Sequence, residues 1–414
     1  MRERVDVAVV GGGQAGLAAS HELSRRGLEH VVLERDRIGQ SWRGRWDSFC
    51  LVTPNWTTRL PDLPYDGDDP DGFMPRDEIV GYLKRYAAAS EAPVREGVDV
   101  TALAPAPNAG FELRTSTGGL HAQSVVLATG AYQRSYRPAG ATALPDSLLQ
   151  LDVADYRDPR GLPAGRVLVV GSGQSGCQIA EELLEAGREV FLACGRAPWA
   201  PRRLGGRDFV WWAIEGGFFE VPLSSLPGPA ARLGANPQAS GHGGGHDLHY
   251  RTLRQAGVTL LGRFVAAEGR TARFAADLAE SVTWGDARYR QLMDLVRGVV
   301  ARQGLPMPEI AEPAPFDGRA PETLDLSGFG AVLFAGGFRP DYRAWVDVPG
   351  AFDELGFPVH VDGESTAAPG LYFLGVHFLR KRKSSLLYGV GEDATLVAAR
   401  VAARHGAAAR SGPG

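Results

Sequence analysis

The chain opens on an apolar run, Val5-Asp6-Val7-Ala8-Val9-Val10, that reads as a buried strand and passes without a break into Gly11-Gly12-Gly13-Gln14-Ala15-Gly16. Leu17 to Arg26 then reads as a helix and His30 to Leu33 as a second strand, giving strand, glycine turn, helix, strand. The same order returns at Arg166 to Val170, Gly171-Ser172-Gly173-Gln174-Ser175-Gly176, Cys177 to Ala186 and Val190 to Ala193. The repetition predicts an α/β protein with two Rossmann-like dinucleotide-binding domains of three-layer ββα type, the second inserted into the first.

Between and after these units the pattern changes. From Arg35 to Gly72 the chain is rich in Trp, Pro and Asp and predicts irregular surface segments, followed by a helix from Arg76 to Ala89. Residues 94 to 126 alternate in short runs, a small β layer whose last strand runs into Thr129-Gly130. A Pro- and Gly-dotted linker, Pro138 to Gly165, marks a domain boundary. Residues 205 to 247 are rich in Gly and Pro, and 277 to 303 read as a helix with Leu278, Val282, Leu292, Leu295 and Val299 apolar. The last stretch returns to strands at Ala331 to Phe334 and Leu371 to Leu374 and to a helix from Glu392 to Arg404. The expected organisation is a first domain at 1–155, a second at 160–325 with an insertion at 205–303, the remainder of the first at 326–405, and a flexible tail at 406–414.

Composition narrows the class. The 414 residues are 44% hydrophobic and 22% charged, ordinary for a globular protein, and the formal net charge of -4 gives no reason to expect nucleic acid or an anionic membrane as partner. Cys50, Cys177 and Cys194 form no CxxC and no metal-ligand spacing, so a reducing, cytoplasmic setting is expected and no metal. No signal peptide and no apolar span of membrane length is read, which predicts a soluble protein.

A glycine triplet alone is weak, but here each one leaves a strand and opens a helix, so bare backbone and a helix N-terminus can face a pyrophosphate. Eighteen residues past Gly16, at the end of the next strand, stands Glu34, placed to accept from ribose hydroxyls. The same count past Gly176 lands on Cys194, with Arg196 two residues later. A missing acid and a nearby arginine favour a 2′-phosphorylated nucleotide, NADP over NAD, although Arg196 as one more solvated arginine stays open. Arg202 and Arg203 are further candidates for the same phosphate.

Two nucleotide sites imply electron transfer between a nicotinamide and a second cofactor. The glycine loops, Glu34, Ser41-Trp42 with Trp46-Asp47, Leu60-Pro61-Asp62-Leu63-Pro64-Tyr65, and Phe334 to Asp341 resemble the single-component FAD and NADPH monooxygenases, over nearly the whole length. That group includes flavin-containing, Baeyer-Villiger and plant YUCCA-type enzymes. The resemblance implies FAD held at Gly11, Gly13, Gln14, Ala15, Gly16, Glu34, Arg35, Ser41, Trp42, Val100, Thr129, Gly130 and Gly375, and NADPH at Gly171, Gly173, Gln174, Ser175, Gly176 and Arg196. It further implies that NADPH reduces FAD, that a C4a-(hydro)peroxyflavin forms with O2, and that one oxygen passes to N, S or an activated carbon of a small organic substrate. A homo-oligomer is left open.

The chain also departs from the group. Ala143 to Pro159 holds no histidine where the Phe-x-Gly-x-x-x-His fingerprint falls, Asp152 standing near its place, which argues against Baeyer-Villiger chemistry. Val52 stands where relatives carry Asn or His beside the flavin, leaving Thr53 and Asn55 as substitute catalytic candidates. The His242-Gly243-Gly244-Gly245-His246 run could suggest a metal site or an oxyanion loop, but a flexible loop over the nicotinamide or substrate is the favoured role. The basic run Arg380 to Lys383 reads as a solvated or cofactor-facing turn rather than a nucleic-acid patch. Two rivals remain, a flavin oxidoreductase without oxygenation and a non-catalytic redox-sensing flavoprotein.

Overall fold

The computed structural model describes residues 3–410. Two largely parallel sheets frame the molecule. In the first, strands follow the order His360–Val361, Glu364–Ser365, Leu371–Phe373, Gly118–Leu127, Glu3–Val10, His30–Glu34, Val94–Glu96, and the pairings from Leu371–Phe373 through Val94–Glu96 are all parallel. An antiparallel meander, Val100–Pro105 and Phe111–Thr115, continues from Gly118–Leu127. The second sheet is parallel throughout, in the order Leu149–Asp152, Phe329–Phe334, Arg166–Val170, Val190–Ala193, Thr259–Leu261.

Each sheet is covered on both faces, which is why its strands read as continuous apolar runs. Side chains alternate across a strand, so Val7 and Val9 pack under the helices Gln14–Ser24, Arg76–Ala89 and Val390–Arg410, while Ala8 and Val10 pack against the meander and Phe352, Phe357 and Leu379. The second sheet repeats the arrangement. Val167 and Val169 meet the helix Gln174–Glu185 and its neighbours, and Leu168 and Val170 meet the antiparallel strands Phe264–Glu268 and Thr271–Phe274. Helix, sheet and β layer thus form the expected three layers twice.

The helices Phe209–Glu215 and Leu278–Gln303 carry a satellite core around Trp212, Val296 and Val299, with Trp199 stacked on Tyr289 at 4.2 Å. From this region the segment Phe218–Ser225 reaches across to the first unit. It pairs main chain with Arg380–Arg382, and Glu220 takes Lys381 and Lys383, which also pair with Glu392.

Several expectations are corrected. Phe329–Phe334 does not rejoin the first sheet: it lies fully within the second, between Leu149–Asp152 and Arg166–Val170, so 326–334 belongs to the second unit. Leu149–Asp152 is likewise a strand of the second sheet rather than linker, so the first unit ends before residue 149, not at 155. Neither a strand buried on both faces, such as Phe329–Phe334, nor a short half-buried edge strand such as Leu149–Asp152 carries a local mark of which sheet it enters. The crossing out and the crossing back lie side by side, as Arg134–Ser135 pairs antiparallel with Phe338–Arg339. Both glycine-loop helices start inside their motifs, at Gln14 and Gln174, and the last helix runs Val390–Arg410 through the start of the expected tail at 406, alanine being a strong helix former. Residues 411–414 of that tail lie outside the described residues.

Candidate functional site: two glycine cradles

The first cradle is built by exclusion of side chains. Gly11 sits at φ 112°, where a Cβ would lie 2.5 Å from the Ala128 carbonyl oxygen, and a Cβ on Gly16 would overlap the Gly11 carbonyl. Gly13 precedes the helix Gln14–Ser24 and faces open space, with no side-chain cap and no acid in the first turn, so the helix's free N–H groups and positive end are left for an anion. Glu34 ends the adjacent strand, almost buried, and its carboxylate accepts from Gly12 N at 2.6 Å and Asp36 N at 2.9 Å.

The second cradle has the same backbone. Gly171 lies at φ 110°, a Cβ there would be 2.5 Å from the Ala335 oxygen, Gly176 would overlap Gly171, and Gly173 faces open space before an uncapped helix. Its side chains differ. Cys194 takes the place of Glu34, and Ser172 takes the place of Gly12; the Ser172 hydroxyl accepts from Gly195 N at 2.9 Å and meets the Tyr250 hydroxyl at 2.5 Å, which in turn donates to Gly195 O. Burial pushes the Cys194 thiol and the Tyr250 phenol up, so both stay neutral. Arg196 is exposed just beyond, with no carboxylate partner among the described residues.

Around the first cradle the remaining expected residues fall unevenly. Gln14 accepts from Trp42 Nε1 at 2.9 Å and donates to Ser385 O at 3.2 Å, tying the short helix Gln40–Arg43 and the turn Arg382–Ser385 to the loop. Ser41 is exposed on that short helix, and Gly39 N donates to Gly12 O. Gly375, at φ 73°, lets its backbone approach Ala15, where a Cβ would come within 2.6 Å of the Ala15 Cβ. Thr129 and Gly130 follow the strand Gly118–Leu127 and are both bonded by Gln133. Arg35 is exposed and paired with Asp36, and the Val100 side chain points into the core on the meander face.

The donors and acceptors around this cradle fit a dinucleotide with a flavin. Gln40 Oε1, Arg43 Nη2 and Arg45 Nε are buried with no protein partner, all on the segment that leans on the loop. Sequence reasoning missed the group beside them. Tyr132, half exposed, lies edge-on to His377 and Phe338, each at 5.1 Å, with the Arg45 guanidinium 4.8 Å over its ring. His377 Nδ1 bonds the Ser385 hydroxyl at 2.9 Å, and burial pushes its pKa down to about 4, so it is neutral near pH 7. These residues come from distant segments with no shared spacing, so no local signal could have gathered them.

Other candidates are placed elsewhere. Asn55 commits its amide to the 69–74 loop, donating to Asp69 O at 2.9 Å and accepting from Met74 N at 2.6 Å, so it has no free end for a flavin. Thr53 is half-buried two residues before it. Arg202 is buried against Asp208 and donates to Val52 O, which removes it as a phosphate ligand, and Arg203 is exposed with a long bond to Gly244 O. His246 and His242 meet Glu181 and Glu185 on the second cradle's helix at 2.6 and 3.3 Å, while Gln174 bonds Ala239 through both ends of its amide. That run is therefore a docked segment rather than a flexible loop, and among the described residues no His, Cys, Asp and Glu cluster could hold a metal. The basic run is internally paired: Arg380 bonds Asp393 and Arg382 lies over Phe218 and Phe378.

A family model described as pyridine nucleotide-disulphide oxidoreductase matches residues 8–205. The sequence is 32% identical to an uncharacterized CzcO-like oxidoreductase of Geobacillus kaustophilus, over 95% of this chain and 97% of that protein. It is 27% identical to human flavin-containing monooxygenase 5 over 48% of this chain and 42% of that enzyme. A flavin-containing monooxygenase from Stenotrophomonas maltophilia shares the fold, with a TM-score of 0.67 at 20% identity over 97% of this chain and 99% of that one. Fold, cradles and relatives thus define a flavin- and nicotinamide-dependent oxidoreductase that resembles the class B flavin monooxygenases. Within that class the chain belongs to the CzcO-like oxidoreductase family. Among the described residues no helix is long and apolar enough to cross a membrane.

Proposed function

We propose that the protein is an FAD- and NADPH-dependent monooxygenase that oxygenates a small organic molecule at nitrogen, sulfur or an activated carbon. The observation that carries the cofactor assignment is the contrast between the strand ends: Glu34 beside the first loop, and Cys194 followed by Arg196 beside the second. A carboxylate suits ribose hydroxyls, whereas its absence together with a free arginine suits a 2′-phosphate.

In this assignment FAD would be held by Gly11, Gly13, Gln14, Ala15 and Gly16, Glu34 would accept from the adenosine ribose, and Arg35, Ser41, Trp42, Thr129, Gly130 and Gly375 would complete the site. Val100 contributes backbone only, because its side chain is in the core. NADPH would be held by Gly171, Gly173, Gln174, Ser175 and Gly176, and Arg196 would pair with its 2′-phosphate. When bound, the flavin supplies hydride acceptance and the reaction with O2. The chain's own residues bind and orient: the two helix N-termini would hold the pyrophosphates, Gln14 locks the short helix to the turn Arg382–Ser385, and Tyr132, Phe338 and neutral His377 gather beside the first cradle. Such a group would limit water at the reacting centre.

Redox-active cysteines are not at hand, since Cys50, Cys177 and Cys194 are free and buried and burial pushes all three thiols up, and this favours oxygenation over a disulfide reductase. The deciding experiment is O2 uptake and NADPH oxidation by the flavin-loaded protein across a panel of amines, thioethers and ketones. Oxygenated product in step with NADPH, with little peroxide, is expected; NADPH oxidation that yields only peroxide for every substrate would sink the oxygenase assignment in favour of a flavin reductase.

A further inference from the structure

Arg45 is a cation without a counter-ion. No carboxylate lies within ion-pair distance of its guanidinium among the described residues, its Nε is buried with no acceptor, and its only close partners are the rings of Tyr132 at 4.8 Å and Phe49 at 5.7 Å. Its backbone is fixed from two sides: Arg76 of the helix Arg76–Ala89 donates to Arg45 O, and Arg157, on the far side of the interdomain crossing, donates to Gly44 O and accepts from Asp47 N. The side chain is therefore delivered to this place rather than left there by a mobile loop.

Neighbouring Arg43 also lacks an ion pair among the described residues, but its Nε is spent on Ile38 O, and other arginines of the region are paired with acids. Arg76 pairs with Asp47 and Asp77, and Arg202 with Asp208. A guanidinium enclosed without an acid is costly unless something else supplies the acceptor, and replacing an uncompensated buried charge by an apolar side chain is commonly neutral or stabilising. Burial does lower the Arg45 pKa, yet an arginine keeps its charge in any case. The ring beneath it, Tyr132, is half exposed, so the face of the guanidinium lies where a ligand can reach it.

We propose that Arg45, seated on Tyr132 beside the first cradle, is an anion-recognition residue that binds the oxyanion of a ligand, either a phosphate of the nicotinamide nucleotide or the carboxylate of an organic substrate. The fork of a guanidinium matches both groups with two parallel hydrogen bonds. The choice of ligand rests on the function proposed above; the anion site itself does not.

The test uses the full-length protein as purified, its Arg45→Met and Arg45→Lys variants, and three probes at constant ionic strength: inorganic phosphate, benzoate and NADP+. Binding is read from the shift of the thermal midpoint with probe concentration. Without probe, Arg45→Met should be as stable as wild type or more so, and its affinity for at least one probe should fall roughly 10- to 100-fold, with Arg45→Lys between. Loss confined to NADP+ assigns the site to the nucleotide, and loss confined to benzoate assigns it to a substrate carboxylate. The proposal is overturned if wild type responds to none of the three probes, or if Arg45→Met responds to all of them as wild type does. It is also overturned if Arg45→Met is much less stable without probe, the mark of a residue that only packs. Flavin content, measured in parallel, separates the two ideas: a flavin-free protein that still loses probe binding on Arg45→Met defeats the proposed function and leaves the anion site standing.

Discussion

Gly12 and Ser172 occupy the same place in two matching loops, and the hydrogen bonds around them run in opposite directions. In the first cradle the loop donates, Gly12 N to the Glu34 carboxylate; in the second the loop accepts, the Ser172 hydroxyl from Gly195 N. The backbone is shared because it is set by where a Cβ cannot go, at Gly11 and Gly16 or Gly171 and Gly176. The chemistry differs because a single strand-end residue decides whether the cradle carries a carboxylate. One backbone thus carries a buried carboxylate in one copy and a neutral hydroxyl and thiol in the other.

The comparison can be broken most severely at the glycines. Gly16→Val should give protein without flavin and largely misfolded, whereas Gly176→Val should keep flavin and lose nicotinamide binding by more than about 100-fold, the steric demand being met by backbone alone. Flavin absorbance per mole of protein, followed by anaerobic titration with NADPH, distinguishes the two outcomes.

Acid should act on both cradles together. His377 near the first and His249, which caps the helix Tyr250–Ala256 beside the second, are each pushed down to about 4 by burial. An unfolded histidine takes its proton near pH 6.5, so between 6.5 and 4 the unfolded chain binds more protons. Stability is fully present above pH 6.5 and falls as pH drops toward 4, by roughly 3 kcal/mol for each histidine at the lower end. Thermal midpoints of wild type, His377→Gln and His249→Asn from pH 7.5 to 4.5 check this; each variant should flatten the curve, and an unchanged slope in both would refute it.

Arg196→Glu should sharpen the contrast by placing an acid near the second strand end. We expect kcat/KM for NADPH to fall roughly 10- to 100-fold with that for NADH nearly unchanged, measured as initial rates of cofactor oxidation. Equal losses with both nucleotides would assign Arg196 to general electrostatics instead. The smallest effect is expected from Ser172→Ala, which leaves Gly195 N and the Tyr250 hydroxyl short of a partner and should cost about 1 to 2 kcal/mol in chemical denaturation.

The parts of this architecture visible in the sequence are those set within a few residues. Both glycine loops, the helix Arg76–Ala89 and the run Val190–Ala193 are local matters of spacing and burial, and they appear where the pattern puts them. What the pattern could not show is membership. Phe329–Phe334, an apolar run, and Leu149–Asp152, a half-buried Leu-Gln-Leu-Asp edge strand, have partners far away in the chain, and only hydrogen bonding assigns them to the second sheet. Charge was misleading for the same reason: Arg202 and the basic run look free until Asp208, Glu220, Glu392 and Asp393 arrive from elsewhere. The group of Arg45, Tyr132 and His377 is assembled wholly by tertiary structure.

The order of strands also dictates the order in which the molecule can be completed during synthesis. The second sheet has its last strand once the ribosome has passed Phe334, but in the first the stretch Val125–Leu127 has Glu3–Val10 on one side only and lacks its second parallel neighbour until Leu371–Phe373 emerges. The unit begun first is therefore finished last, with one edge of Val125–Leu127 open while some 240 residues are added. A nascent chain halted between these points should hold a protease-resistant second unit beside an unfinished first one.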